Sequence, residues 1–279
     1  MLNSMQLLKH RRTHHQLKTA AQHNHFAVSA AQPTGTHKMS TAAAAGPTDV
    51  FVLDFDGVLV DSEPEVSSSA YAAARDYWPQ RFSSVDAAQQ QQVMDGLRRS
   101  RPVLVRGYES MVMARMLLED PGSVNAILAD WHPLLHHTLE RWGEDWEVLQ
   151  ASFEQHRATW LASDRAGWLA RNQPYAGMVD AVAACEYPIY FASSKAAHRV
   201  STLLQEHFSM SDLTQDSPRL FASLLPPEQK KVEALRAIAD RPVCRDSGAR
   251  LHFVDDRLDT LLAVQQAGLQ GWNLYLADW

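Results

Sequence analysis

Acidic residues are absent from the first 48 positions, the whole chain has two cysteines, and long apolar runs are missing. A bilayer span needs an apolar run of roughly 18 to 20 residues, so the sequence predicts no membrane partner. Cys185 and Cys244 lack metal-ligand spacing and suit a reducing compartment. The net charge of -6 argues against a general nucleic-acid surface. With 46% apolar and 21% charged residues, the composition is typical of a globular protein of one or two domains.

The first 48 residues differ in composition from the rest of the chain. They carry five Lys and Arg residues and are rich in Ser, Thr, Ala, His and Gln. An acid-free basic segment is typical of an organelle transit peptide. We therefore expect a chloroplast location, with the mitochondrion or cytoplasm as alternatives, and a processing site after Ala30. A disordered tail, or a true start at Met39, would account for the same composition.

Apolar patterning divides the remaining chain into two kinds of structure. The run Val50 to Phe55 predicts a strand, and the 3.6-residue period then predicts a series of helices, including one continuous helix over 124–141. Further on, short apolar runs alternate with helical patterns, which is typical of a parallel sheet with helices on both faces. We predict an α/β core of residues 49–62 and 171–279 and an all-helical inserted domain of residues 63–170.

Two carboxylates follow the first predicted strand at spacing i, i+2, in the run Asp54-Phe55-Asp56-Gly57. Residues at this spacing point the same way as a strand ends. Asp54 and Asp56 are therefore expected at the carboxyl edge of the sheet, where open α/β sheets bind ligands. Two carboxylates this close favour a hard cation such as Mg2+ between them. A helix N-cap followed by a turn would use the same residue types.

A second predicted strand, Ile189 to Ala192, ends in Ser193-Ser194-Lys195. A hydroxyl at this strand end could donate a hydrogen bond to an anionic oxygen of a ligand. Strand position favours Ser193 for that role, whereas Ser194 is expected to start the following helix. Lys195 is expected to be a solvated flanking residue.

Two adjacent lysines lie near the start of the predicted helix over 227–239. At about 100° per residue, Lys231 is about 50° from the centre of the buried face and Lys230 is about 150° away. Lys231 is therefore expected to point inward and Lys230 into solvent. A lysine aimed at the sheet edge would neutralise negative charge on a ligand bound there.

A third predicted strand, Leu251 to Val254, ends in two adjacent acids, Asp255 and Asp256. A neighbouring strand end would bring another carboxylate to the expected cation. Together with the three preceding motifs, and in the same order, this run resembles the haloacid dehalogenase superfamily. The resemblance covers the chain from about Asp49 onward and extends to a plant and cyanobacterial branch that looks longer than this chain beyond Trp279.

The resemblance implies a Rossmann-like core with an inserted helical cap and a Mg2+-dependent phosphatase acting on a small phosphorylated metabolite. It implies that Asp54 attacks phosphorus and forms an aspartyl-phosphate. Asp56 would protonate the leaving oxygen and then activate water. Ser193 and Lys231 would hold the phosphoryl oxygens.

The same resemblance implies the Mg2+ ligands: the Asp54 side chain, the Asp56 backbone carbonyl and Asp256, with Asp255 orienting a metal-bound water. Within the predicted cap, Arg101 and Arg106 are candidates for binding an anionic part of the substrate. The oligomeric state stays open.

Alternatives remain at this point. A phosphomutase of the same fold would use the same residues, and a non-catalytic phosphate-binding or regulatory protein would retain them in part. Dehalogenase chemistry is disfavoured because Asp56 supplies an acid. A phosphonate hydrolase is disfavoured because residues 63–174 contain no lysine. His132, His136 and His137 have spacing suited to a metal, but no acid is placed to complete a zinc site.

Overall fold

A computed structural model describes residues 48–279. The proposed transit peptide and its processing site lie outside these residues. The described chain divides into two compact units: one contains the described residues up to Leu59 together with Gly177–Trp279, and the other is Val60–Ala176. The predicted insertion, residues 63–170, lies inside the second unit.

Within the described range, the chain forms seven strands and thirteen α-helices. The strands are β1 (Asp49–Leu53), β2 (Val60–Asp61), β3 (Gln173–Pro174), β4 (Ile189–Ala192), β5 (Leu220–Phe221), β6 (Arg250–Asp255) and β7 (Trp272–Leu276). The helices are α1 (Glu63–Tyr77), α2 (Pro79–Phe82), α3 (Ala87–Ser100), α4 (Glu109–Glu119), α5 (Ser123–Ala129), α6 (Trp131–Trp142), α7 (Trp146–Ser163), α8 (Arg165–Ala170), α9 (Met178–Ala183), α10 (Ala197–Phe208), α11 (Pro227–Ala239), α12 (Pro242–Arg245) and α13 (Leu258–Gln266); a 3-10 turn covers Arg101–Val103.

The first unit is built on a five-stranded sheet in the order β5-β4-β1-β6-β7. All four pairings are parallel, and Leu53 lies opposite Phe191 on one side and Val254 on the other. The predicted α/β fold class is therefore confirmed. Because β1 is central and the chain builds outward from it first on one side and then on the other, the carboxyl end of β1 is a topological switch point, where such sheets place ligands.

Alternation of side chains along β1 explains how this sheet is held against its helices. Val50 and Val52 are fully buried and pack in one cluster with Phe253 of β6, Leu235 of α11 and Leu261 of α13. These residues belong to one face, because side chains two apart on a strand point the same way. The packing fixes α11, and with it the side chains near its N-terminus, relative to the sheet edge.

The second unit is helical apart from the two-stranded antiparallel ribbon β2–β3. Its core joins α1, α3, α4 and α7 and includes Tyr71, Leu97, Met111 and Phe153. Arg157 of α7 forms two hydrogen bonds with the fully buried Glu65 of α1, at 2.8 Å from Nε to Oε1 and 2.5 Å from Nη2 to Oε2.

The prediction of one continuous helix over 124–141 is wrong. The structure has α5 ending at Ala129 and α6 beginning at Trp131, with Asp130 in a non-helical conformation (φ -163°, ψ 79°) between them. Pro133 explains the break, because its ring would clash with the carbonyl of Ala129 four residues earlier in a continuous helix. In the third position of a new helix, its missing N–H removes no intrahelical bond.

Candidate active site

Three neighbouring strand ends place polar side chains at one edge of the sheet. Asp54 follows β1, Ser193 follows β4, and Asp255 is the last residue of β6. The backbone N–H of Asp54 donates to the carbonyl of Val254 at 2.9 Å, which joins the ends of β1 and β6. Parallel strands end at the same edge, so the order of the sheet assembles this set from segments distant in sequence.

Lys231 lies between two of these carboxylates. Its Nζ is 2.8 Å from Asp54 Oδ2 and 2.7 Å from Asp255 Oδ2, and its side chain is 1% exposed. As helical periodicity predicts, the neighbouring Lys230 points outward and pairs with Glu233 on the surface. The N-terminal part of α11 therefore delivers one positive charge to the buried edge of the sheet.

Burial and charge act in opposite directions on this cluster. Burial raises the pKa of Asp54 to about 6, and the negative charge of Asp255 adds to the rise while Lys231 opposes it. Burial likewise raises the pKa of Asp255. Burial disfavours the charged form of Lys231, but Asp54 and Asp255 outweigh it and raise the lysine's pKa. The arrangement favours the charged form of Lys231, whose single positive charge does not balance the negative charges of Asp54 and Asp255.

The carboxylates fit a divalent cation. Asp54, Asp255 and Asp256 each offer an oxygen within 4.8 Å of the others. Asp54 Oδ1 is buried and has no hydrogen-bond partner among the described residues. Carboxylate oxygens are the ligands that Mg2+ prefers. Because Lys231 supplies a single positive charge to two of these acids, Asp54 and Asp255, a divalent cation would offset the remaining negative charge.

Gly57 is required by the geometry next to Asp256. Its φ is +78°, a conformation that side chains rarely adopt, and a Cβ here would collide with Asp256 Oδ2 and Cγ. The glycine therefore lets the chain turn after Asp56 while Asp256 approaches it closely.

Ser193 and Lys195 lie together after β4. Ser193 is fully buried, and its Oγ accepts a hydrogen bond from the backbone N–H of Lys195 at 3.2 Å. The prediction that Lys195 is a solvated flank is wrong: its side chain is 3% exposed, and its Nζ is 2.8 Å from Asp56 Oδ1. The position of Lys195, three residues beyond a strand that ends at the carboxyl edge of the sheet, is the sequence signal that could have identified it.

Other candidate residues lie in the helical unit. Arg101 is half-buried in the 3-10 turn, and the guanidinium of Arg106 lies 5.2 Å from the centre of the Trp146 ring. A role for either arginine in substrate binding stays a prediction. His132 and His136 contact each other edge to face at 4.6 Å on the exposed side of α6, and the carboxylate cluster found in residues 48–279 includes neither.

Comparison with known proteins gives only distant structural similarity. No protein-family model and no curated protein matches the chain. A solved structure described as a predicted phosphoglycolate phosphatase from Haemophilus somnus is 14% identical, with a TM-score of 0.46 over 83% of this chain and 88% of that one.

Two further solved structures belong to the same range of similarity. A predicted phosphatase from Clostridium acetobutylicum is 13% identical, with a TM-score of 0.45 over 79% of this chain and 82% of that one. A haloacid dehalogenase-superfamily hydrolase of subfamily IA from Geobacter sulfurreducens is 15% identical, with a TM-score of 0.40 over 82% and 87%. These three structures are described as phosphatases or as a hydrolase. The narrower plant and cyanobacterial resemblance stays a prediction.

Among residues 48–279, no helix combines the length and apolar character needed to cross a bilayer.

Proposed function

We propose that the chain is a Mg2+-dependent phosphatase that hydrolyses a small phosphomonoester through an aspartyl-phosphate on Asp54. The observation that carries the proposal is the environment of Asp54. One carboxylate oxygen, Oδ2, is held by Lys231, while the other, Oδ1, is buried without a hydrogen-bond partner in the described chain. A nucleophilic carboxylate needs one oxygen fixed and the other available for attack.

In the first half-reaction, an oxygen of Asp54 bonds to phosphorus and the ester P–O bond breaks. The electron pair of that bond stays on the leaving oxygen, which takes a proton from Asp56. In the second half-reaction, water loses a proton to Asp56 and attacks phosphorus, and the aspartyl P–O bond breaks. The products are an alcohol and inorganic phosphate, and both aspartates return to their starting forms.

The remaining residues would position and neutralise the transferring group. Ser193 and Lys231 would contact phosphoryl oxygens, with the hydroxyl and the ammonium as donors. The Asp54 oxygen that does not attack, the Asp56 backbone carbonyl and Asp256 would hold Mg2+, with Asp255 supporting its hydration. The bound cation would offset the negative charge of the phosphoryl group. Such positioning and charge compensation account for most of the rate acceleration in enzymatic phosphoryl transfer.

The test is phosphate release by the full chain from a panel of small phosphomonoesters, with Mg2+ and after its removal by a chelator. Asp54→Asn is compared with Asp240→Asn, a change of the same kind at an exposed position. We expect Mg2+-dependent release that is lost in Asp54→Asn and kept in Asp240→Asn. Acid quenching followed by intact-mass measurement should detect a phosphorylated chain in the wild type but not in Asp54→Asn.

Two other outcomes would replace the proposal. Interconversion of glucose-phosphate isomers with little phosphate release would identify a phosphomutase. A folded chain that binds Mg2+ but shows neither activity would indicate a phosphate-binding role. The proposed chloroplast location would be tested separately by the distribution of a fluorescent fusion to residues 1–48.

A further inference from the structure

The structure contains a second buried lysine at the carboxyl edge of the sheet. Lys195 donates from Nζ to Asp56 Oδ1 at 2.8 Å, with side-chain exposures of 3% for the lysine and 17% for the aspartate. Lys231 donates in the same way to Asp54. The two aspartates of the first motif are therefore each paired with a lysine, Lys195 from the segment after β4 and Lys231 from α11 of the same unit.

The main chain of Lys195 is held on both sides. Its N–H donates to Ser193 Oγ at 3.2 Å, and its carbonyl accepts from the Ser223 N–H at 2.9 Å. The carbonyl of Ser193 also accepts from the N–H of Leu224 at 3.1 Å. These bonds connect the segment after β4 to the segment after β5. They hold the main chain of Lys195, and therefore the base of its side chain, in a fixed position relative to the sheet.

Burying this ion pair costs free energy. An ammonium group removed from water loses hydration, and a long lysine side chain loses rotamer freedom when it is fixed. Both losses must be offset by a well-placed partner. The partner is Asp56, the residue whose orientation matters most for proton transfer in the proposed reaction.

We propose that Lys195 is a positioning residue for Asp56. An ammonium group only donates hydrogen bonds, so Asp56 Oδ1 must act as the acceptor. When Asp56 carries its catalytic proton, that proton is therefore assigned to Oδ2. Lys195 would thus fix both the rotamer of Asp56 and the oxygen that faces the leaving group.

This inference rests on the proposed phosphatase function and concerns the step in which the ester P–O bond breaks. As the ester P–O bond breaks, the leaving oxygen keeps the electron pair and takes the proton from Asp56 Oδ2. An alkyl leaving group needs that proton, because an alkoxide is a poor leaving group. A p-nitrophenolate is stable without it. Loss of the Lys195 contact should therefore affect the two types of ester unequally.

The experiment compares kcat/KM for two substrates: p-nitrophenyl phosphate and the alkyl phosphomonoester that the wild type hydrolyses fastest. This parameter reports steps up to departure of the leaving group and omits hydrolysis of the aspartyl-phosphate. We expect Lys195→Met to lower kcat/KM about 100-fold for the alkyl ester and less than about threefold for the aryl ester, as loss of acid catalysis would. Lys230→Met, at an exposed position on α11, should change neither value.

A double-mutant comparison separates positioning from other roles. If Lys195 acts through Asp56, adding Lys195→Met to Asp56→Asn should cause little further loss. Lys195→Arg, which keeps a donor with positive charge, should recover part of the alkyl-ester activity. Thermal unfolding of each variant checks that the fold is retained. If Lys195→Met does not fold, the pair Asp56→Asn and Asp56→Asn/Lys195→Arg is compared instead, with the same expectation of little further loss.

Results that contradict the positioning role can be distinguished from results that contradict the phosphatase function. Equal losses on both esters, or independent losses in the double mutant, would overturn the positioning role while leaving the phosphatase function intact. A gain in alkyl-ester activity would also overturn it, since Lys195 would then restrain Asp56 in an inactive orientation. Failure of the wild type to release phosphate from any ester would instead overturn the proposed function and this inference with it.

Discussion

Lys231 Nζ lies 2.7 Å from Asp255 Oδ2, and both side chains are almost completely removed from solvent. Because the same ammonium also contacts Asp54 at 2.8 Å, one residue neutralises two buried carboxylates that come from different strands. The pairing connects the N-terminal part of α11 to the ends of β1 and β6. It therefore bears on the stability of the first unit as well as on its proposed chemistry.

Replacing Lys231 by Met is expected to destabilise the protein and abolish activity. The change leaves two buried carboxylates without their cationic partner, and breaking a buried pair in this way costs about 3 kcal/mol or more. Lys230→Met is the matched control, because the neighbouring lysine forms an exposed pair with Glu233. Its cost should be below about 0.5 kcal/mol. Urea unfolding measures both values, and equal costs would contradict the importance of the buried pairing.

Replacing Gly57 by Ala should weaken Mg2+ binding as well as stability. Gly57 and Gly177 have nearly the same φ, +78° and +80°, so alanine at either position should cost about 1 kcal/mol through backbone strain. A Cβ at Gly57 would also collide with Asp256, whereas one at Gly177 would meet nothing within 4 Å in the described chain.

The two glycine variants therefore separate strain from metal binding. Bound Mg2+ stabilises the folded state by mass action and raises Tm. We expect this rise to be reduced in Gly57→Ala and unchanged in Gly177→Ala, as measured by thermal unfolding over a series of Mg2+ concentrations. A full Mg2+-dependent rise in Gly57→Ala would remove Asp256 from the proposed ligand set.

The buried pair of Glu65 and Arg157 should dominate the coupling between α1 and α7. Its two hydrogen bonds place guanidinium and carboxylate in a bidentate arrangement, and Ser69 Oγ donates a further bond to Glu65 at 2.9 Å. Arg157→Met would leave the carboxylate buried without this partner, at a cost of about 3 kcal/mol. The double variant Glu65→Met/Arg157→Met should be less destabilised than the sum of the single variants. Additive costs in urea unfolding would show that the pair is not coupled.

Glu109 should make stability depend on pH in a predictable direction. Burial raises its pKa above the ordinary value of 4.5, although hydrogen bonds from Trp131 and from the backbone of Val105 oppose the rise. The folded state therefore keeps this proton to higher pH than the unfolded chain. The stability contribution is complete below about pH 4.5 and is lost as pH rises through the folded-state pKa.

Glu109→Gln removes this titration while retaining an oxygen that can accept from Trp131 Nε1, which donates to Glu109 at 2.9 Å. Relative to the wild type, the variant should gain stability as pH is raised from about 4 to about 7, in urea unfolding. Glu147→Gln, at an exposed position, controls for loss of a carboxylate in general. A relative loss of stability with rising pH would reverse the assigned direction.

Local sequence patterns were sufficient to predict an element or a side-chain direction where a single periodicity defined it. The apolar run before Asp54 identified β1, because a buried strand needs such a run. Helical periodicity separated Lys231 from Lys230, because residues 100° apart cannot share one buried direction. The same reasoning failed at 124–141, where Pro133 overrode an otherwise regular pattern and divided the helix into α5 and α6.

The sequence by itself determined the order of strand-end carboxylates, the parallel α/β character and the inward-facing lysine, because each depends on residues close together in the chain. The tertiary structure alone decided which lysine pairs with which aspartate. Lys195 and Asp56 are 139 residues apart, and only the placement of β4 beside β1 brings them within hydrogen-bond distance. A buried ammonium must have a partner, and the fold, through sheet order, determines which carboxylate is within reach.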